Sequence, residues 1–299
     1  MQAANPRGTS FSQIPDDSSL TVDVIIPAYR ERPEALDATL RAVTSQVKSA
    51  NRILVVDDCS PEPVVLPDWA AHSPQIVLIR LQQNRGTAGA RNAAIRQSDA
   101  AFLACVNTEI LPDPDWSQTC LRYLIEHPQV GACYTRTDPI RPDKLLTRWR
   151  FRFQEPRFGD KSGPAEFAHG HAAFFRRAAF DAVNGYSENV GTTEDSDICE
   201  RLWKIGWESH YIAESRSVSI QQDTLRLLAS KQLRDNGWKS SDKSSLYSLF
   251  LRLSKWTLVR AGRNVVKGRF YFLPIDVGLW ACALWMAGSQ KLARSSSKR

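Results

Sequence analysis

The sequence lacks several features that would place it in a specialised class of protein. Its six cysteines are scattered, with no CxxC pair and no zinc-site spacing, which argues against a disulfide scaffold and favours a reducing cytosol. The polar start contains no apolar run after basic residues, so we expect a disordered lead-in at residues 1–20 and no secretory signal. The absence of a Gly-Lys-Ser or Gly-Lys-Thr triplet excludes a Walker-type phosphate loop.

Charge is distributed unevenly along the chain. The net charge is +7, but residues 226–299 hold 15 Lys and Arg against 3 Asp and Glu, so that residues 1–225 carry a net charge of −5. A basic tail suits either nucleic acid or the anionic face of a membrane. Because aromatic and apolar residues accompany these charges, we expect an anionic membrane surface as the partner and no nucleic acid.

Apolar runs rich in Val and Ile alternate with helical patterns in the first half of the chain. Strands are predicted at residues 22–28, 53–56, 76–81 and 100–106. Because these runs are apolar on both faces and are separated by helices, they indicate an α/β fold with a mostly parallel central sheet. Residues 138–163 are rich in Pro and Arg with interleaved aromatics, and their pattern assigns no structure.

Polar residues follow three of the predicted strands. Tyr29 to Glu31 follow the first strand, Asp57 and Asp58 the second, and Asn107 to Glu109 the fourth. In parallel sheets ligands bind beyond the carboxyl ends of the strands. The three clusters therefore predict one ligand pocket, with the chemistry that a nucleotide needs.

The segment Thr192 to Trp207, TTEDSDICERLWKIGW, places acidic residues where a helix begins. An apolar helical stripe follows, and Gly206 is a suitable stop. Carboxylates at a helix start are favoured by the helix dipole, which alone could explain them.

Four blocks of the sequence occur in the order of a known family. VDVIIPAYRERPEALDATLRAVTSQ, RILVVDDCSPE, NRGTAGARNAAI and TTEDSDICERLWKIGW together resemble the family-2 glycosyltransferases. The resemblance implies a GT-A nucleotide-binding fold over residues 21–225 and inverting transfer of a sugar from a nucleotide sugar to a glycan or lipid-linked acceptor. It implies that Asp195 is the catalytic base and that Glu194 belongs to the acceptor site. The donor residues that it implies are Pro27, Ala28, Tyr29, Glu31, Asp57, Asp58, Gly86, Arg91, Val106 and Asn107.

The block AEFAHGHAAFFRRAAFDAVNGYSE is similar to the strand and helix that precede the Glu-Asp segment in the family. His169 and His171 are two residues apart and would share one face of a strand. They are candidates for the acceptor site or a metal, with a purely structural role as the alternative.

One landmark of the family is altered. The resemblance implies an Asp-x-Asp triplet that binds a divalent cation, Mg²⁺ or Mn²⁺, but this chain has Cys105, Val106 and Asn107 there. Asn107 and Glu109 could form a shifted metal site. The alternatives are metal-independent transfer, with Arg91 or another cation compensating, and a chain that binds nucleotide sugar in a glycan assembly without catalysis. A nucleotide-using enzyme of another α/β type is disfavoured because the sequence has no matching phosphate motif.

Residues 226–299 are predicted to form a basic, helical tail. Six residues form one helical face: Leu246, Leu249, Phe250, Leu253, Trp256 and Thr257. The uninterrupted apolar stretch after Asp276 has only 11 residues, too short to span a bilayer. We expect a tail that lies on the inner face of the cell membrane, with a helical lid on the catalytic domain as the alternative.

Overall fold

The computed structural model describes residues 20–154, 159–166, 170–190, 193–235, 238 and 246–296. The chain divides into two compact units, one of residues 1–140 and 158–221 and the other of residues 141–157 and 222–299. The boundary at 221 lies close to the predicted one at 225. The predicted lead-in at residues 1–20 lies outside the described residues, except for Leu20.

The first unit is built on a mixed β-sheet. Its strands are β1 (Val22–Ala28), β2 (Arg52–Asp57), β3 (Ile76–Arg80), β4 (Phe102–Val106), β5 (Ile110–Pro112), β6 (Val130–Pro139), β7 (Gly163–Pro164), β8 (Ala172–Arg176) and β9 (Glu208–Ser219). Their order is β3-β2-β1-β4-β8-β6-β9-β5, and β7 pairs with β9. β5, β7 and β8 run antiparallel to the other strands. The predicted mostly parallel α/β sheet is therefore confirmed.

Helices cover both faces of this sheet. In chain order the helices are α1 (Pro33–Thr44), α2 (Asp68–Ala71), α3 (Gly86–Ile95), α4 (Trp116–Glu126), α5 (Leu145–Phe153), α6 (Arg177–Ala182) and α7 (Glu194–Lys204), of which α5 belongs to the second unit. One core cluster includes Leu36 and Leu40 of α1 and Trp116 of α4. The other includes Ile95 of α3 and Leu202 of α7. Burial on both faces explains why the parallel strands are continuously apolar.

The second unit is helical. It contains α5, α8 (Leu225–Asp235), α9 (Leu246–Val266), a 3₁₀ turn (Phe270–Phe272) and α10 (Leu273–Ser296). Its core includes Trp149 of α5, Leu228 of α8, Leu253 of α9 and Leu279 of α10. The unassigned segment 138–163 thus supplies one helix to this core.

A buried aspartate organises the second unit. The Asp276 carboxylate accepts hydrogen bonds from Trp149 Nε1 at 2.9 Å and Asn264 Nδ2 at 2.9 Å, and Arg260 Nε lies 3.4 Å away. A buried carboxylate is stable only when it is paired and hydrogen-bonded, as it is here. Pro274 lies in the first turn of α10, where a missing N–H is tolerated. Neither residue interrupts the helix, which corrects the prediction of an apolar stretch limited to 11 residues.

By length and composition alone, Phe270–Ala293 is apolar enough to cross a membrane, although 33% of its apolar window is buried inside the protein. In α9 the predicted apolar face is divided. Leu249, Leu253 and Thr257 are buried, whereas Phe250 and Trp256 are exposed.

Candidate functional site

The donor residues predicted from the sequence lie in the same region of the fold. They lie at the carboxyl ends of β1, β2 and β4 and in α3, and they are Pro27, Ala28, Tyr29, Glu31, Asp57, Asp58, Gly86, Arg91, Val106 and Asn107. Because β1 pairs in parallel with both β2 and β4, these strand ends meet at one edge of the sheet. The structure brings them together as predicted, while their role in donor binding stays a prediction.

Arg91 links this edge to the Glu-Asp segment. Its guanidinium is fully buried, with Nη1 donating to Asp195 Oδ1 at 2.9 Å. Nη2 donates to Asn107 Oδ1 at 2.8 Å and to the Gly170 carbonyl at 2.9 Å. The guanidinium also stacks over the Tyr186 ring at 5.0 Å. Arg91 thus contacts protein acceptors, and its predicted contact with the donor stays a prediction.

Asp195 lies in the first turn of α7 and is held from two sides. Its Oδ1 accepts from Arg91, and its Oδ2 accepts from the Gly170 backbone N–H at 3.0 Å. Glu194, its neighbour, is buried and lies 3.7 Å from Arg91 Nη1. The Asp195 side chain keeps 19% of its surface exposed. A fixed, partly exposed carboxylate has lone pairs left for a proton of a bound hydroxyl group.

The two acids after β2 differ in their surroundings. Burial disfavours ionised Asp57, but hydrogen bonds from the Ser60 amide (2.8 Å), the Ser60 side chain and the Val64 amide (3.1 Å), together with the Arg80 charge, outweigh it and hold its pKa below the usual value. Asp58 accepts from the amides of Arg85 at 2.7 Å and Gly86 at 2.8 Å, yet burial raises its pKa. Both acids thus fix the loops around the predicted pocket.

The predicted metal pair, Asn107 and Glu109, is already engaged by arginines. Asn107 Oδ1 accepts from Arg91, and Glu109 Oε1 accepts from Arg32 Nη2 at 2.7 Å. A divalent ion on these two oxygens would have to share each of them with a guanidinium group or displace that group. Within the described ranges, moreover, no three His, Cys, Asp or Glu side chains form a group that could hold a metal. As arranged, the pair is poorly suited to a divalent cation, and its role in metal binding stays a prediction.

The first position of the altered triplet carries no charge. Cys105 is fully buried, and burial raises the pKa of its thiol to about 11, so that the thiol is neutral at pH 7. The charge of Arg91 is therefore balanced by Asp195 and Glu194 and not by the triplet.

Glu31 has an unusual environment at the same edge. Burial raises the pKa of its carboxyl group, and the nearby Glu109 carboxylate raises it further, while a hydrogen bond with the Thr108 side chain lowers it in part. A cleft of about 1030 Å³ lies beside Glu31, between residues 30–37 and 60–67.

Of the two predicted acceptor histidines, only His171 is among the described residues. His171 directly precedes β8, and its carbonyl accepts from the Asn107 amide at 2.9 Å. His169 lies outside the described residues. The glycine between them, Gly170, contacts Asp195 and was missed, although it stands in the block HGH that the sequence singles out. Arg32, which binds Glu109 at the same edge of the sheet, was not predicted from the sequence either.

The sequence is similar to those of known enzymes. The sequence pattern of the family described as "Glycosyl transferase family 2" matches residues 23–183. The chain is 28% identical over 277 residues to an N-acetylglucosaminyltransferase of Sinorhizobium fredii (strain NBRC 101917 / NGR234), covering 84% of this chain and 66% of the relative. Across three of the curated relatives it spans 39% to 66% of their length.

Solved structures share the fold. A mannosyltransferase from Pyrobaculum calidifontis, in complex with GDP-Man and Mn²⁺, gives a TM-score of 0.55 at 19% identity, covering 92% of this chain and 79% of that one. TarS 1–349 of S. aureus, in complex with UDP, also gives 0.55, at 13% identity, covering 93% and 92%. These neighbours confirm the GT-A fold. Because the family pattern covers more than half of the residues and its landmarks meet at one edge of the sheet, the chain belongs to glycosyl transferase family 2.

Proposed function

We propose that the chain transfers a sugar from a nucleotide-sugar donor to a glycan or lipid-linked acceptor, with inversion and with Asp195 as the base. The observation that carries the proposal is the position of Asp195. The carboxylate opens α7, is partly exposed, and is tied through Arg91 to Asn107 at the end of β4. Arg91, Asn107 and Glu194, three residues to which the family resemblance assigns donor or acceptor roles, lie at this point and support the proposal.

In the proposed reaction an acceptor hydroxyl oxygen attacks the anomeric carbon of the donor. Its proton passes to Asp195, and the bond from the anomeric carbon to the phosphate oxygen breaks, so that the nucleoside diphosphate leaves with the electron pair. A single displacement of this kind inverts the anomeric centre. A positioned general base contributes roughly 10²- to 10⁴-fold to such a step.

The relatives support the class of donor. One is named an N-acetylglucosaminyltransferase and another a probable glucomannan 4-beta-mannosyltransferase of Arabidopsis thaliana, and the two neighbours above hold GDP-Man and UDP. We therefore propose a UDP- or GDP-linked hexose or N-acetylhexosamine. Release of UDP or GDP from a panel of such donors, with and without candidate acceptors, tests this. Turnover of none of them would contradict it.

A second candidate function is supported by the altered triplet. With a neutral thiol at Cys105 and an amide at Asn107, the chain could hold a nucleotide sugar in a glycan assembly without transferring the sugar. Tight donor binding with no turnover, under every acceptor tested, would favour this alternative over catalysis.

The second unit supports a proposal about location. Exposed Phe250, Trp256 and Phe270 lie among basic residues of α9 and the following turn, including Arg263 and Lys267. Aromatic rings with Lys and Arg are typical of helices that lie in a membrane interface and attract anionic lipid. We propose that this unit binds the inner face of the cell membrane, with the site in the cytosol. The six described cysteines are unpaired, which suits that compartment.

A further inference from the structure

Gly170 and Arg91 form a closed hydrogen-bonded ring with Asp195. Arg91 Nη1 donates to Asp195 Oδ1 at 2.9 Å, Gly170 N–H donates to Asp195 Oδ2 at 3.0 Å, and Arg91 Nη2 donates to the Gly170 carbonyl at 2.9 Å. Each member is bonded to the other two. The carboxylate plane of Asp195 is therefore fixed by both of its oxygens.

The ring requires glycine at position 170. A Cβ atom built there would lie 2.1 Å from Asp195 Oδ1, 2.3 Å from Cγ and 2.5 Å from Oδ2. Real Cβ atoms do not approach other heavy atoms so closely, and the obstacle is the carboxylate itself. Because the Gly170 φ angle is not in the left-handed region, the reason for glycine is this close approach and not backbone conformation.

Arg91 is suited to hold Asp195 and poorly suited to bind a ligand itself. Its side chain has no exposed surface, and its two terminal nitrogens already serve Asp195, Asn107 and Gly170. A planar guanidinium can contact several acceptors in fixed directions, which a lysine ammonium does less well. The same nitrogen, Nη2, that reaches Gly170 also holds Asn107, and so the geometry of the base is coupled to the end of β4.

We propose that Gly170 and Arg91 are positioning residues for the base: they act on sugar transfer through Asp195 and not by contact with substrate. The inference rests on the proposed function of Asp195. Gly170 has this role although it has no side chain. Arg91, which the family resemblance places in donor binding, instead aligns the base. A displacement of about 1 Å in a reacting group can cost roughly a hundredfold in rate.

The test is a set of variants in the full-length chain, assayed with whichever UDP- or GDP-sugar the wild type turns over. We expect Gly170→Ala and Arg91→Met to lower kcat about tenfold or more, with the donor Kd within about threefold of the wild type. Arg91→Lys, which keeps the charge, should fold and should recover part of kcat. Gly288→Ala is the matched glycine control, since a Cβ there meets nothing within 4 Å.

A second control separates positioning from stability. Arg52 pairs with buried Asp23 at 2.9 Å, at the opposite edge of the sheet. Arg52→Met should lower the thermal midpoint but leave kcat of the folded protein unchanged. If Arg91→Met behaves like Arg52→Met, Arg91 is only structural and the proposal falls.

Combination with Asp195→Asn gives the decisive result. If Gly170 acts through Asp195, Gly170→Ala should cause no further loss of kcat in the Asp195→Asn background, beyond about threefold. Independent, multiplying losses would overturn the proposal, as would wild-type kcat in Gly170→Ala or Arg91→Lys. Full turnover in Asp195→Asn alone would instead remove the base and the proposed mechanism with it, so that the two failures are distinguishable.

Discussion

At the site, the charge of one buried arginine is balanced by two neighbouring carboxylates. A buried cation, Arg91, lies against Asp195 and Glu194, while Cys105 and Asn107 are neutral. In a low-dielectric site such compensation is needed, because an unpaired buried charge is strongly destabilising. The family resemblance was enough to identify both acids of the Glu-Asp pair, Glu194 and Asp195, from the sequence. The partner of Asp195 could not be predicted, because Arg91, Gly170 and Asp195 are far apart in the chain.

Glu31 gives a prediction about pH. Burial raises its pKa in the folded protein, so its stabilising contribution is complete below the unfolded value of 4.5 and is lost as pH rises through the folded pKa. Glu31→Gln removes the ionisation and should therefore raise the thermal midpoint relative to the wild type at about pH 7, but not at about pH 4. Glu34→Gln, an exposed neighbour, is the control. An equal change at both pH values would contradict the assignment.

Asn107 gives a prediction about metal dependence. Since Arg91 already binds the Asn107 oxygen and Arg32 already binds one oxygen of Glu109, we expect the donor Kd to agree within about threefold in Mg²⁺ and in chelator. Asn107→Asp adds a carboxylate and should create a preference for Mg²⁺. Asn51→Asp, at the opposite edge of the sheet, should not. Calorimetric titration of the donor measures both, and a loss of tenfold or more for the wild type in chelator would show that the ion is required.

Among the elements, the long apolar strands were predictable and the polar ones were not. Nearly all residues of β1, β2 and β4 are buried, and the apolar runs in the sequence predict this burial. The second half of β9 could not be predicted from hydropathy, because it buries Ser215, Ser217 and Ser219, which hydropathy patterns do not mark as core. β5 and β7 have three and two residues, too few to show a period.

The segment around α5 shows that residue periodicity alone can predict the wrong secondary structure. Its sequence RWRFRF alternates like a strand, yet the segment is a helix. The helix is fixed by contacts distant in sequence, including a buried ion pair at 2.8 Å between Arg150 and Asp223. No local pattern predicts those contacts.

At the start of α3 the structure predicts a stabilising role for Asp58. Its carboxylate accepts from the amides of Arg85 and Gly86, which the first turn of a helix leaves without partners. Asp58→Ala should lower the free energy of unfolding by about 1–2 kcal/mol in the absence of nucleotide. Asp68→Ala, in the exposed first turn of α2, should cost less. Urea denaturation compares them, and an equal loss would show that Asp58 does not stabilise α3.

At the scale of the whole molecule, composition and structure divide the chain in nearly the same place. The excess of basic residues begins near 226, and the C-terminal part of the second unit begins at 222. What composition could not predict was that residues 141–157 belong to that unit. Its core depends on Trp149, which lies far from the tail in sequence.

The proposed membrane contact is tested on the full chain. Phe250→Ser with Trp256→Ser removes two exposed aromatic rings from α9 and should reduce sedimentation with vesicles that contain phosphatidylserine. Val65→Ser, at an apolar site of the first unit that is more exposed than either ring, is the control. Salt should weaken the binding that remains, because exposed charges are screened within about 8–10 Å. If the wild type does not bind anionic vesicles at low salt, the second unit is not a membrane-binding element.

Asp195 is proposed to take the proton of the acceptor hydroxyl group, and a comparison of two variants in α7 tests this role. Asp195→Asn is assayed beside Asp197→Asn, a carboxylate on the same helix that pairs with Arg201 at 2.7 Å. Because Asp195 also balances buried Arg91, the folded fraction of each variant is measured first by thermal unfolding. For folded Asp195→Asn, release of UDP or GDP should fall roughly 10²-fold or more with donor affinity nearly unchanged, while Asp197→Asn stays close to the wild type. Comparable turnover in folded Asp195→Asn would show that Asp195 is not the base.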